Sequence, residues 1–293
     1  MMIHTLTANL LWEETFYYED VPSLGCTQRA SRSTVQVGGK GLNVARLLAR
    51  LNHPHEAHLF TGGYYADAVN RWLGGTDLQT RVHTHPGNTV RPGLVVRSPG
   101  HKETTYLGTD SEIHPESIQT AVSYLARQPE PSVIAICGSI PGWEDDRWDP
   151  LRQFCAETLS AHHWVIDTYG PPLDWFSARE VDLIKINADE WAPFAGREDR
   201  LRARQVIITD GSRSISGWAA GGENWTFAPP KVEEVSPTGS GDVFLAALLH
   251  AHYGKQMDWF TAAREASRYG AANAACQGIA TFAFDQLPPR PGD

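Results

Sequence analysis

Cysteine is scarce and scattered in this 293-residue chain. Cys26, Cys137, Cys155 and Cys276 form no C-x-x-C pair, which excludes a zinc knuckle and offers no disulfide framework. They read as reduced thiols, as expected of a cytoplasmic protein. Positive charge is in short supply as well: 25 Lys and Arg stand against 34 Asp and Glu, a formal net charge of −9. Nucleic acid is therefore not an expected partner, because binding a phosphate backbone needs a basic face. No apolar run approaches the roughly eighteen residues of a membrane-spanning helix. The opening Met-Met-Ile-His-Thr-Leu-Thr-Ala-Asn also lacks a basic segment ahead of a long apolar one. Export and membrane insertion are both disfavoured. Two nucleotide-binding fingerprints are missing, since there is neither a G-x-x-x-x-G-K-[ST] loop nor a G-x-G-x-x-G turn. Without the second, and without a suitably placed ribose acid, a dinucleotide-dependent oxidoreductase loses its support. No internal repeat occurs.

What is present is an ordinary globular composition, 41% hydrophobic and 20% charged. The chain is long enough for one main α/β domain with an appendage. The stretch from Glu233 to Leu249 organises the rest. Small residues from Ser236 to Gly241 run into a segment rich in Ala and Leu, with Asp242 at the join. This reads as a loop feeding a helix N-terminus, whose unpaired N–H groups and dipole suit an anion, typically phosphate. Gly239 and Gly241 let the backbone come close to that anion. Asp242 sits where the helix field favours its ionised form. It fits a base that takes a proton from a hydroxyl beside the anion, and equally a plain helix cap. The second landmark, Val37 to Leu51, is a glycine cluster that opens an amphipathic helix with apolar positions 44, 47, 48 and 51. It is either a tight turn before a core helix or, through Lys40 and Asn43, a set of polar groups for a sugar or phosphate.

Ile3 to Ala8 predicts a first strand, followed by polar residues from Asn9 to Glu14 at the carboxyl edge, where ligands of open α/β sheets gather. Alternating runs at Arg29–Val37, Arg81–His85, Asn88–Arg97 and Lys102–Leu107 are split by Pro-Gly and Ser-Pro-Gly turns. They predict a small antiparallel sheet set apart as a lid, built from about 13–37 and 81–108 of a single domain spanning 1–293. Its exposed face would leave apolar surface, so a homodimer through the lid sheet is expected. From Pro115 onward helices alternate with short apolar strands at 132–137, 164–167, 183–186 and 205–209. That order implies a parallel sheet with helices on both faces. A hairpin at 214–219 and 225–228 and helices near 242–253 and 258–276 complete the pattern.

Four motifs, in order, resemble those of the PfkB (ribokinase-like) carbohydrate kinases. They are Gly38-Gly-Lys-Gly-Leu-Asn-Val-Ala-Arg46, Cys137-Gly-Ser-Ile-Pro-Gly142, Ile184-Lys-Ile-Asn-Ala-Asp-Glu190 and Thr238-Gly-Ser-Gly-Asp-Val-Phe244. The N-V-A-R ending of the first is most similar to the branch of 1-phosphofructokinase, tagatose-6-phosphate kinase and the minor 6-phosphofructokinase. The resemblance implies a ribokinase-like three-layer α/β/α fold with a mainly parallel central sheet and a small β-sheet lid. It implies ATP and Mg²⁺, with Asp242 as the base and the amides of Gly239, Ser240 and Gly241 as an anion hole for the γ-phosphoryl group. Asn187 and Glu190 would order the metal through water. Lys185, Thr209 and Gly211 would lie along the nucleotide, with Asn273 near the adenine.

Gly38, Gly39, Lys40 and Asn43 would hold sugar hydroxyls, and Glu13 would replace the aspartate of the family's opening turn. Arg29, Arg91 and Ser139 match a sugar-phosphate site, although Thr27 stands where a lid lysine is expected. The implied function is phosphoryl transfer to a sugar, most naturally a hexose phosphate. A kinase of a non-phosphorylated sugar or a nucleoside, with Arg29 and Arg91 in structural salt bridges, is the alternative. A ribokinase-like binding or regulatory protein without turnover is another, against which the intact Gly-Ser-Gly-Asp speaks.

Overall fold

The first strand is five residues long and wholly buried, as a strand covered on both faces must be. In the computed structural model, which describes residues 1–101, 103–196, 201–219 and 224–292, it is an interior strand of a nine-stranded sheet, third from one edge. Along the chain the elements begin β1 (Ile3–Thr7), β2 (Leu11–Tyr17), β3 (Arg32–Gly38), α1 (Lys40–Arg50), β4 (His55–Thr61) and α2 (Ala66–Gly74). There follow β5 (Thr80–Thr84), β6 (Arg91–Arg97), β7 (Thr104–Leu107), α3 (Pro115–Leu125), β8 (Val133–Cys137), α4 (Asp149–Thr158), β9 (His163–Asp167) and α5 (Pro171–Ser177). The last are β10 (Leu183–Asn187), α6 (Ala188–Trp191), β11 (Gln205–Asp210), β12 (Ser214–Ala219), β13 (Trp225–Phe227), α7 (Ser240–Leu249) and α8 (Trp259–Ala274). The large sheet runs β13-β12-β11-β10-β9-β8-β1-β4-β5, parallel from β11 to β5, with the β12–β13 hairpin antiparallel at one edge.

Helices cover both faces. One apolar layer joins Ile3, Val133, Val165, Leu183 and Ile207 to α1, α7 and α8, and the other joins Leu6, Ile134, Trp164 and Ile184 to α3, α4 and α5. From Asp242 to Leu249 every residue of α7 is buried. A helix apolar all round belongs inside the molecule, and each fully buried Leu there contributes roughly 1.5–3 kcal/mol through area removed from water. This buried helix aims its N-terminus at the carboxyl edge of the sheet.

The small sheet, β3-β2-β6-β7, differs from expectation in three ways. Leu11–Tyr17 forms one of its central strands, and β2 pairs with β6 in parallel, so the sheet is mixed and not an antiparallel meander. The run Arg81–His85 is not part of it. As β5, residues 80–84 extend the large sheet beside β4, in register Ala57↔Thr80 to Thr61↔Thr84. A parallel edge strand covered on one face alternates just as a small-sheet strand does, which is why the pattern misled. Lys102, placed at the start of the last run, lies outside the described residues. The inward side chains of β2 are Leu11, Glu13 and Thr15, all buried, while Trp12, Glu14 and Phe16 face outward.

Candidate active site

Strands β1, β8, β9, β10 and β11 are parallel, so Thr7, Cys137, Asp167, Asn187 and Asp210 end on one edge, where α1 and α7 begin. At the start of α7, Gly239 takes a left-handed φ of 75°. A Cβ there would lie 2.8 Å from Ile279 Cγ1, so glycine is required by packing as well as by the turn. The turn is pinned by Asn273, whose Nδ2 donates to Thr238 O (3.0 Å) and Ser240 Oγ (3.1 Å) while its Oδ1 accepts from Ala280 N (2.8 Å). Its amide is thus fully used and buried. Asn273 itself does not line the cavity beside it; Ser267, Gly270, Ala271 and Ala274 are the α8 residues that do.

Asp242, in the first turn of α7, is buried, and its Oδ2 accepts from Asn43 Nδ2 at 2.8 Å, joining the starts of α7 and α1. Burial pushes its carboxyl from an ordinary 3.8 up to about 6, against the pull of Lys40 and the Asn43 hydrogen bond, with Asp167 adding to the rise. The expectation that the site simply favours the ionised form is therefore modified, because loss of water outweighs the favourable neighbours.

Asp167, at the end of β9, is fully enclosed between two ammonium groups, Lys40 Nζ at 2.9 Å and Lys185 Nζ at 3.1 Å. Burial alone would raise its carboxyl, but Lys185 and Lys40 outweigh it and hold the group below the ordinary range. Lys40 also lies 3.5 Å from Glu190 Oε1. Burial opposes its charge, yet Asp167, Asp242 and Glu190 together keep the ammonium protonated well beyond neutral pH. Asn187 and Glu190 form a reciprocal capping box, with Glu190 N to Asn187 Oδ1 and Asn187 N to Glu190 Oε2 both 2.9 Å. Glu190 Oε1, outside the capping box, faces Lys40.

These groups open on a cavity of about 740 Å³. Lys40, Lys185, Asn187, Thr209, Gly211, Gly239, Ser240, Gly241 and Asp242 all line it. So do Ser212 and the segment 229–232, which the sequence did not single out. Asp167 was missed too, though a carboxylate closing the buried strand Trp164-Val-Ile-Asp167 at the ligand edge was a readable signal.

Just beyond the ends of β1 and β8, Asn9 Nδ2 donates to Asp110 Oδ1 (2.7 Å) and Ser139 Oγ (2.9 Å), and Arg91 reaches the same Asp110 oxygen at 3.2 Å. Gly38 ends β3 opposite Leu11, and Gly39 caps α1. Buried Glu13 accepts from Gln36 through a short hydrogen bond. Arg29 is not brought to this group. It is exposed in the loop before β3 and, among the described residues, has no ion-pair partner. The small sheet also touches the α7 turn: Arg97 pairs with Glu103 at 2.8 Å, and Glu103 accepts from the Thr238 hydroxyl.

Residues 10–285 match the sequence profile of the pfkB family carbohydrate kinases. The chain belongs to that family. As a PfkB carbohydrate kinase it is 25% identical over 299 residues to the 1-phosphofructokinase of Bacillus subtilis, covering 97% of this chain and 96% of that protein. It is also 25% identical over 306 residues to the tagatose-6-phosphate kinase of Staphylococcus epidermidis, covering 98% and 97%. Its fold matches that of Escherichia coli phosphofructokinase-2 solved with potassium, with a TM-score of 0.85 at 18% identity over 97% and 96% of the two chains. The ribokinase-like fold expected from the motifs is the fold observed.

Proposed function

We propose that this PfkB kinase transfers the γ-phosphoryl group of ATP to a primary hydroxyl of a hexose phosphate of the fructose or tagatose type. One observation carries the reading: the Asp242 carboxylate lies beside the amide-bearing start of α7, on a cavity that also holds Lys40 and Lys185. A carboxyl near 6 is ionised at neutral pH and still basic enough to accept a hydroxyl proton in the transition state. The amides of Gly239, Ser240 and Gly241 stabilise the charge that develops on the phosphoryl oxygens, and Lys40 and Lys185 add two fixed cations. Lys185, Asn187, Thr209 and Gly211 run along the nucleotide. Glu190 Oε1, not used by the capping box and 3.5 Å from Lys40, fits a Mg²⁺ held through water, with Asn187 beside it. When bound, that ion shields the phosphate charge.

Asn43 orients Asp242, and Gly38, Gly39, Glu13 and Ser139 face the sugar. Arg91 and Arg29 take its phosphate, Arg29 only after the small sheet closes as a lid and excludes water. The names of the relatives, 1-phosphofructokinase and tagatose-6-phosphate kinase, favour a phosphorylated hexose. A second reading, a non-phosphorylated sugar or a nucleoside, is favoured by Arg91 being already paired with Asp110 while Thr27 supplies no cation. Release of ADP with fructose 6-phosphate, fructose 1-phosphate, tagatose 6-phosphate, ribose and adenosine separates the two. Turnover confined to ribose or adenosine would overturn the first.

The outward face of the lid presents Trp12, Phe16, Leu94 and Tyr106 around a depression of about 430 Å³. A homodimer packed through this face covers them. Sedimentation of the substrate-bound protein as a monomer at micromolar concentration would remove that assignment. All four cysteines are free thiols, which suits a reducing cytoplasm.

A further inference from the structure

Far from the phosphate cavity, toward the amino end of the large sheet and under α3, three imidazoles stand in a row. His4 of β1 meets His58 of β4 (Nδ1 to Nε2, 3.1 Å), and His58 meets His83 of β5 (Nδ1 to Nε2, 3.1 Å). All three rings are buried. Glu56, two residues before His58 on the same face of β4, has its Oε1 held by Arg81 at 3.1 Å. Its Oε2 is buried, makes no hydrogen bond, and lies 3.7 Å from His4 Nδ1 and 3.5 Å from His58 Nε2.

A buried carboxylate oxygen without a hydrogen-bond partner is costly to the fold, and here it lies between two ring nitrogens. The three atoms His4 Nδ1, His58 Nε2 and Glu56 Oε2 make a nearly regular triangle with edges of 3.1, 3.5 and 3.7 Å. Ligands about 2.0–2.2 Å from a tetrahedral zinc ion stand about 3.4 Å apart. We propose that His4, Glu56 and His58 form a binding site for one Zn²⁺-class divalent ion, separate from the Mg²⁺ used with ATP.

The donor set of two imidazoles and one carboxylate suits zinc over magnesium, which prefers oxygen ligands. The outer partners are already in place. His83 accepts from His58 Nδ1 in the tautomer that frees Nε2 for the metal, and Arg81 fixes the second carboxylate oxygen. Arg81 itself rests on the Tyr124 ring of α3, 3.6 Å from its centroid. Arg81, whose side chain is 40% exposed, and Glu56, at 13%, mark the side from which an ion enters. The bound ion ties β1 to β4 and satisfies Glu56 Oε2.

The test is a calorimetric titration of Zn²⁺ into EDTA-treated full-length protein without nucleotide or Mg²⁺, with Co²⁺ absorption as a report of four-coordinate geometry. Wild type should bind one ion with Kd below about 10 µM. His4→Gln and Glu56→Gln should each weaken binding at least about tenfold, and His83→Phe by about tenfold through the outer hydrogen bond. His114→Ala should leave it unchanged; it removes a ligand of the exposed His85, His114 and Glu116 group, the other cluster able to hold an ion among the described residues. Should His4→Gln fail to fold, Glu56→Gln, at the accessible edge, carries the comparison. No saturable Zn²⁺ binding by wild type, or binding lost in His114→Ala and kept in Glu56→Gln, would overturn the proposal.

Discussion

The proposed function rests its proton transfer on one carboxyl group, that of Asp242, whose environment fixes how it responds to pH. As the base it must be ionised, so kcat/KM should fall about tenfold per pH unit below pH about 6, measured with saturating Mg²⁺. A flat profile between pH 5 and 7 would remove Asp242 from that role. Asp242→Asn keeps the shape and the Asn43 contact but cannot take a proton, so kcat should drop by about 10²–10⁴-fold while ATP binding persists. The same burial has an opposite effect on stability. A folded-state carboxyl raised above its unfolded value stabilises the fold below pH 3.8, and that contribution is lost as pH rises through about 6. Melting curves of the ligand-free protein should therefore show Asp242→Asn gaining on wild type between pH 5 and 7.5. Equal shifts at both pH values would contradict the burial argument. Both lysines beside it were within reach of sequence reading, as was the base, because each sits in a motif. Asp167 carried no motif, and its importance comes from two cations that converge on it from α1 and β10, remote in sequence.

At the scale of elements, the start of α7 depends on α8 more than on itself. Asn273 is one helix away, yet its amide holds Thr238, Ser240 and Ala280 together. Asn273→Ala leaves the buried Ala280 N without its partner, at a cost of about 1–3 kcal/mol, and frees the part-buried Thr238 O and Ser240 Oγ, which water can reach. The expected outcome is a lower Tm and a lower kcat with a smaller change in the sugar KM; an unaltered kcat would show that the turn holds itself. Helices α1, α7 and α8 and the buried strands from β8 to β11 were legible, because apolar periodicity and glycine punctuation report burial directly. Strand β2 was not. Its inward positions Leu11, Glu13 and Thr15 are mostly polar and lie outside the apolar clusters of the core, so alternation there loses its meaning. The misplacement of β5 has the converse cause, an edge strand of the large sheet whose exposed face imitates a peripheral one.

Across the whole molecule, the small sheet and the phosphate turn are mechanically joined through Arg97, Glu103 and Thr238. Closure of the sheet as the proposed lid would therefore act on the residues flanking Gly239. Glu103→Ala should uncouple the two, raising ATP hydrolysis relative to sugar phosphorylation by a few fold; measurement of ADP release without sugar checks this, and an unchanged ratio would sink the coupling. The parallel pairing of β2 with β6 has a further bearing on biosynthesis. Leu11 lies opposite Arg91, so the hairpin of β2 and β3 leaves the ribosome long before its third strand has been made. Until then the nascent chain carries a bare strand edge with Trp12 and Phe16 on it, the kind of surface that recruits chaperones or pairs wrongly.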